Sequence, residues 1–346
     1  MVYTEDEIEE LKAECFANDV KYNYDVLKDW DEDKIRDFFE SGGGGEGAAP
    51  APVKAKEGEM DPFAVEMPKE VILKLNDDKT VAVITLNRPD AKNAMDDKIT
   101  VGMILAVQRI KLMPSVRVTF LTGNGAMFCA GGDPKAFQAA QAAGKAAEAS
   151  GTADQNSKGA NDFAGFLKDL NDLPCYLVGL ANGSAMGGGF GLLCCCDCVI
   201  ARKTAFFALS EVKLGVIPAT ISPYVVAKIG PANARRLFMT GETVNCEKGK
   251  EIGLVQEVVD TPEALAKEAQ KICDVMLLAA PGAVAAAKKL VTNVQYKPIT
   301  PELQAYTAEQ LAMVRMSEES TGGMIAVQAG KKAPWAQNAA SMKFPQ

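Results

Sequence analysis

Three short stretches hold residues that can do chemistry together. The first, Ala181-Asn-Gly-Ser-Ala-Met-Gly187-Gly-Gly-Phe-Gly-Leu192, sets a glycine triplet between apolar runs, Tyr176 to Ala181 before it and Leu192 to Cys196 after it. The incoming run is short, apolar and bounded by Pro174 and Gly183, which predicts a buried strand. The outgoing run reads as the first turns of a buried helix. Glycines at such a handover expose backbone N–H groups near a helix N-terminus and let a ligand approach with no Cβ in the way. A triplet alone suits tight packing as well as it suits a site. The second stretch, Phe128-Cys-Ala-Gly-Gly-Asp133, repeats the arrangement after an apolar strand, Val116 to Leu121, and a turn, Thr122-Gly-Asn-Gly125. Two such loops can aim two N–H groups at one oxygen, an oxyanion hole for a carbonyl that gains negative charge during reaction. The third, Leu209-Ser-Glu211-Val-Lys-Leu-Gly-Val-Ile-Pro218, puts one carboxylate in apolar surroundings. Such surroundings raise a carboxyl pKa and suit it to proton transfer near neutral pH.

Composition removes several other chemistries. The 346 residues contain no histidine, which excludes Ser-His-Asp and Cys-His triads and histidine metal sites. Four of the nine cysteines crowd into Cys194-Cys-Cys-Asp-Cys198. Neighbouring side chains on a helix or strand point apart, so these read as small buried hydrophobes in a reducing compartment and not as a metal site. Cys129 reads as packing, since no histidine exists to activate it. The net charge is −8, yet Met1 to Glu46 alone carries fifteen acidic and five basic side chains, leaving a nearly neutral body. An acidic tail on a neutral body argues against nucleic acid as a partner. No apolar run reaches the length of a membrane span, and the N-terminus has neither a signal-peptide pattern nor the Arg-rich, acid-poor make-up of a mitochondrial presequence. The expected location is the cytoplasm or an organelle matrix.

Positioning elements surround these stretches. Residues 1–41 read as an acidic helical unit. Thr4 and Glu7 form a capping-box pattern, and Trp30, Phe38 and Phe39 suit docking to a protein partner. Residues 42–62 are Gly, Ala, Pro and charge, a flexible linker. A core is expected over 63–260 and a helical region over 261–346. Val71 to Leu75 and Val81 to Leu86 read as a hairpin, followed by a polar turn and a helix ending before Pro114, with Ile99, Met103, Val107 and Ile110 on its apolar face. Gln138 to Asp162 is low in complexity, partly helical and mobile; Phe163 to Leu170 resumes a helix. Val199 to Ala201 and Phe206 to Ala208 read as short strands. Helices are expected over Pro223 to Ile229, Ala232 to Met239, Ala264 to Leu278, Pro281 to Val294 and Pro301 to Met316. This order predicts an α/β protein with a helical C-terminal part.

From about Val71 to Trp335 the chain resembles the crotonase, or enoyl-CoA hydratase, superfamily. The matching pieces are Leu86-Asn-Arg-Pro with Lys92-Asn-Ala94, Phe128-Cys-Ala-Gly-Gly-Asp133, Asn182-Gly-Ser-Ala-Met-Gly-Gly-Gly189, Ser210-Glu-Val-Lys-Leu-Gly-Val-Ile-Pro218, Thr240-Gly-Glu and Gly253-Leu-Val-Gln-Glu-Val258. The resemblance implies a crotonase-type spiral of repeated ββα units with a helical C-terminal trimerisation region, assembled as a homotrimer or dimer of trimers. It implies an acyl-CoA thioester as substrate and no permanently bound cofactor. Carried over by position, Gly132 and Gly188 supply the oxyanion N–H groups and Glu211 is the catalytic carboxylate. Lys92, Ala94, Ala130, Asp133, Lys135, Gly187 and Pro218 fall among the substrate-binding positions, and Lys331 and Lys332 could reach a CoA phosphate on a neighbouring subunit.

One departure matters. Two-carboxylate hydratases of this family carry a first glutamate two residues after the triplet, where this chain has Gly191. A single glutamate could still take a proton from water and return it to the α-carbon. Pro218-Ala-Thr-Ile-Ser-Pro-Tyr224 resembles the methylglutaconyl-CoA and isohexenylglutaconyl-CoA hydratase branch, which points to a branched enoyl-CoA. The alternatives are a thioester hydrolase or decarboxylase on the same oxyanion hole, or a catalytically weak subunit of a larger assembly.

Overall fold

The computed structural model describes residues 61–150 and 155–336. The acidic helical unit expected over 1–41 and nearly all of the linker lie outside the described residues. The hairpin is β1 (Val71–Leu75) antiparallel to β2 (Val81–Leu86), with Val71 opposite Leu86. From β2 the chain winds in repeated turns. Each turn gives a long strand to one sheet, a short strand to a second sheet, and then helix. The long strands after the hairpin are β3 (Val118–Gly123), β5 (Tyr176–Ala181) and β7 (Cys198–Arg202). The short ones are β4 (Met127–Cys129), β6 (Ser184–Met186) and β8 (Phe206–Ala208). With β9 (Thr243–Asn245) and β10 (Glu257–Val259), they form a six-stranded sheet in the order β1-β2-β3-β5-β7-β10 and a four-stranded sheet β4-β6-β8-β9. All pairings are parallel except β1 with β2 and β8 with β9.

The helices are α1 (Asp97–Lys111), α2 (Pro134–Ser150), α3 (Gln155–Asn171), α4 (Gly188–Cys194), α5 (Ser222–Thr240) and α6 (Cys246–Glu251), then the C-terminal α7 (Pro262–Met276), α8 (Pro281–Val294), α9 (Pro301–Arg315) and α10 (Glu318–Gln328). The expected spiral of ββα units with a helical C-terminal part is thus the observed architecture.

The large sheet is covered on both faces, which is why β2 and β3 are buried throughout and read as unbroken apolar runs. On one face Ala82, Ile84, Leu86 and Leu121 join the main core with the apolar side of α1, Phe128, Phe190 and Phe207. On the other, Val81, Val83, Phe120, Val178 and Ile200 pack against Leu265, Ala269 and Cys273 of α7. Thr122, inside β3, spends its hydroxyl on the Leu180 carbonyl at 2.9 Å. α5 is broken at Gly230, whose backbone is non-helical (φ 75°, ψ 159°) and is followed by Pro231, so it consists of two helices, as expected over Pro223 to Ile229 and Ala232 to Met239.

Several local expectations are corrected. The helix after the triplet begins at Gly188, four residues before the expected Leu192, because the triplet itself forms its first turn. The low-complexity stretch is helical through Ser150 and again from Gln155. The short strands β4, β6, β9 and β10 and the helices α6 and α10 are additions; three-residue strands carry too little periodicity to show in sequence. Among the described residues, no single helix is long and apolar enough to cross a membrane.

Candidate active site

The first glycine loop follows β4. Its backbone is tied to the turn after β2: Met95 N–H donates to the Gly131 carbonyl at 2.7 Å, Asp133 N–H to the Met95 carbonyl at 2.9 Å, and Ala130 N–H to the Lys92 carbonyl at 3.0 Å. Met95 and Gly132 thereby form an isolated parallel bridge. In such a bridge the N–H of the central residue points away from its partner, and the Gly132 N–H bonds to no other described residue. Gly131 sits at φ 91°, a conformation that favours glycine, and a Cβ there would stand 2.8 Å from the Met186 carbonyl oxygen.

The second loop starts α4. Gly187, at φ 51°, is its N-cap, and its N–H donates to the Ala208 carbonyl at 2.9 Å. Gly188 opens the helix, so its N–H has no intrahelical acceptor, and it bonds to no other described residue. A Cβ on Gly131 would lie 3.6 Å from Gly187 Cα, so the two loops touch. A Cβ on Gly188 would strike Met95 Cε at 2.2 Å and reach Phe163 Cζ at 3.9 Å. Met95 and Phe163 therefore wall this corner.

Glu211 opens a short 3-10 turn, Glu211–Leu214, that ends at Gly215 in the left-handed region. Its Oε1 would be 3.2 Å from a Cβ on Gly187, so the carboxylate lies against the second glycine loop. Oε2 is buried and has no hydrogen-bond partner among the described residues. Leaving a buried acceptor unpaired costs about 1–3 kcal/mol, more for a charged group. Burial raises the Glu211 pKa above the usual carboxylate range.

Asp133 has a different task. Its carboxylate meets Arg88 Nη1 at 2.6 Å and accepts from Lys135 N–H at 2.8 Å at the start of α2. Those contacts, Arg88 first, hold its pKa below the ordinary value. Lys92 and Lys135 are exposed beside this loop, and Ala94, buried, gives its carbonyl to Arg88 at 3.0 Å. Pro218 is buried beyond the Glu211 turn. Lys331 and Lys332 are exposed after α10. The Cys129 thiol is buried and pushed up to about 12, with Sγ 3.1 Å from the Asn93 carbonyl, so it sits in the fold as an inert group.

Sequence reasoning passed over Arg88 and Asn93 as individuals. Asn93, fully buried at φ 54°, donates to the carbonyls of Asn124 at 3.0 Å and Met127 at 2.8 Å and accepts from Arg88 N–H at 2.9 Å. A polar turn between a buried strand and a helix was the available signal. Gly191, where the first glutamate of the two-carboxylate pattern would stand, is buried, and a Cβ there would lie 2.2 Å from Ile221 Cγ2.

Two unspent N–H groups beside a half-buried carboxylate suit a substrate carbonyl next to a proton to be moved. Residues 76–338 match the family described as enoyl-CoA hydratase/isomerase. The chain belongs to that family. Carnitinyl-CoA dehydratase of Proteus mirabilis is 36% identical over 213 residues, covering 61% of this chain and 76% of the relative. The Salmonella typhi protein of the same name is 34% identical over 218 residues, covering 62% and 78%. Among solved structures, an enoyl-CoA hydratase from Shewanella pealeana superposes with TM-score 0.72 at 32% identity, covering 78% of this chain and 96% of its own. Pseudomonas aeruginosa AtuE superposes with TM-score 0.71 at 32% identity, covering 78% and 100%. The chain is accordingly an enoyl-CoA hydratase-type lyase, adding or removing water on an acyl-CoA thioester.

Proposed function

We propose that this hydratase works with one carboxylate. The carrying observation is Glu211, half-buried with Oε2 unpartnered, against the glycine loop whose neighbour offers a second free N–H. In hydration, Glu211 takes a proton from water while the water oxygen bonds to the β-carbon. The electron pair of the double bond moves to the thioester oxygen, where the N–H groups of Gly132 and Gly188 receive the charge. Glu211 then returns the proton to the α-carbon, and the carbonyl reforms. Both proton positions lie on one face of the acyl group, so addition is syn. Dehydration is the reverse. Lys92 and Lys135 meet the CoA nucleotide, and the chemistry asks for no resident cofactor.

The acyl group is a branched, 3-methylglutaconyl-type enoyl group. Support comes from the Pro218 to Tyr224 segment, whose Ile221 packs on Gly191, so the segment and the missing carboxylate form one structural unit. A second reading, dehydration of a carnitinyl-type thioester, is favoured by the names of the relatives at 34–36% identity. The working unit is a homotrimer or dimer of trimers. The C-terminal helices support this, since they leave Met313, Met316, Ile325 and Val327 exposed. A panel of crotonyl-, 3-methylglutaconyl- and carnitinyl-CoA, followed by enoyl absorbance and free CoA separately, tests the reading. Loss or gain of enoyl absorbance without CoA release is expected, fastest with the 3-methylglutaconyl thioester. Release of CoA would make the protein a hydrolase, and preference for carnitinyl-CoA would select the second reading.

A further inference from the structure

Gly132 has no packing of its own. It is exposed, and a Cβ built on it would meet nothing within 4 Å. The direction of its N–H is therefore set by its neighbours alone. Those neighbours, Gly131 and Asp133, both hang on the backbone of Met95. Met95 in turn is bracketed by Ala94 and Asp96, and a single nitrogen reaches both of them and Asp133. Arg88 Nη1 lies 3.0 Å from the Ala94 carbonyl, 3.5 Å from Asp96 Oδ2 and 2.6 Å from Asp133 Oδ2. Resting on the reading of Gly132 as an oxyanion donor, we propose that Arg88 is the positioning residue that aims this donor, acting through Met95 and Asp133 without touching substrate.

The second loop needs no such device, because Gly188 is fixed by the helix it begins and by Met95 and Phe163 above it. The cross-link from Arg88 also joins segments far apart in sequence, the turn after β2 and the start of α2, so it holds the first loop as a charged pin would. A misplacement of about 1 Å in a preorganised site can cost on the order of 10²-fold in rate. The effect falls on the transition state, where the oxygen is most negative, and spares ground-state binding.

The test uses the full chain and three variants, Arg88→Gln, Arg88→Lys and Asp133→Asn, each checked for folding. Turnover of an enoyl-CoA gives kcat and KM. Infrared spectroscopy of bound, isotope-labelled butyryl-CoA, a thioester with no double bond to hydrate, reads carbonyl polarisation directly. Arg88→Gln is expected to lower kcat about 10–10²-fold with KM within about threefold, and to lose part of the carbonyl down-shift. Because one nitrogen makes all three contacts, Arg88→Lys should recover part of both, and Asp133→Asn should reproduce a weaker form of the defect. Full kcat and full down-shift in folded Arg88→Gln would overturn the proposal. Where that variant does not fold, the same result in Asp133→Asn would overturn it. No down-shift in the unaltered protein would instead remove the oxyanion donors themselves.

Discussion

At the first glycine loop, polar contacts do the holding: backbone hydrogen bonds to Lys92 and Met95 and the Arg88–Asp133 ion pair lace Ala130 to Asp133 to the turn after β2, and Gly132 stands in open space. At the second, close packing does it. A Cβ on Gly189 would lie 2.6 Å from the Cys129 carbonyl oxygen, one on Gly191 2.2 Å from Ile221, and one on Gly188 2.2 Å from Met95. A loop held by polar contacts tolerates added volume and suffers when charge is removed. A loop held by exclusion does the opposite.

In the proposed mechanism Glu211 moves the proton whichever loop holds the oxyanion, so removing it should have the largest effect. Glu211→Gln is expected to retain acyl-CoA binding and lose about 10²–10⁴ in turnover, measured by steady-state hydration beside a thioester binding titration. Gly188→Pro deletes one donor and should lower kcat about 10²–10³-fold, with circular dichroism confirming that the variant still folds. A folded and fully active Gly188→Pro would show that the second loop contributes packing and no donor. Gly189→Ala leaves every donor in place but presses on the Cys129 backbone, so a loss of about 1–3 kcal/mol in denaturant unfolding is expected. Gly132→Ala, the matched change in the open loop, should stay within about 0.5 kcal/mol and keep its activity. Equal damage from these two alanines would erase the distinction between the loops.

The smallest effects come from pH. Burial raises the Glu211 pKa, so the stability it contributes is full in acid and is lost as pH rises through its folded value. Arg88 depresses the Asp133 pKa, so that contribution is full above the ordinary carboxylate range and is lost as pH falls through the depressed value. Thermal melts at neutral pH should therefore show Glu211→Gln slightly more stable than the parent and Asp133→Asn slightly less. In hydration, where Glu211 must start ionised, the acid limb of kcat/KM should lie above the usual carboxylate range.

Much of this was legible in the residues. Long buried strands such as Tyr176–Ala181 and proline-initiated helices such as Pro281–Val294 announce themselves by apolar runs and by proline at the first turn. Glu211 and the two glycine loops stand out because their residue types make little sense as ordinary core. What stayed hidden is long-range. Nothing local in Asn-Arg-Pro says that Arg88 will meet a carboxylate forty-five residues away, and nothing in Ile221 says that it will fill the space above Gly191. Of the second sheet only Phe206–Ala208 was legible; β4, β6 and β9 were hidden for another reason, since they are three residues long and are specified by their partners.

The contact between Gly191 and Ile221 also constrains what this chain can become. A mutation placing a carboxylate at 191 would arrive in a space already taken by a buried, β-branched side chain. Trimming Ile221 first would open a cavity, at about 2–5 kcal/mol for a change to alanine, while giving no catalytic return until the second change followed. Either order passes through a destabilised or overpacked intermediate, so the packing itself favours the one-carboxylate state: a carboxylate at 191 and the room for it at 221 have to come together.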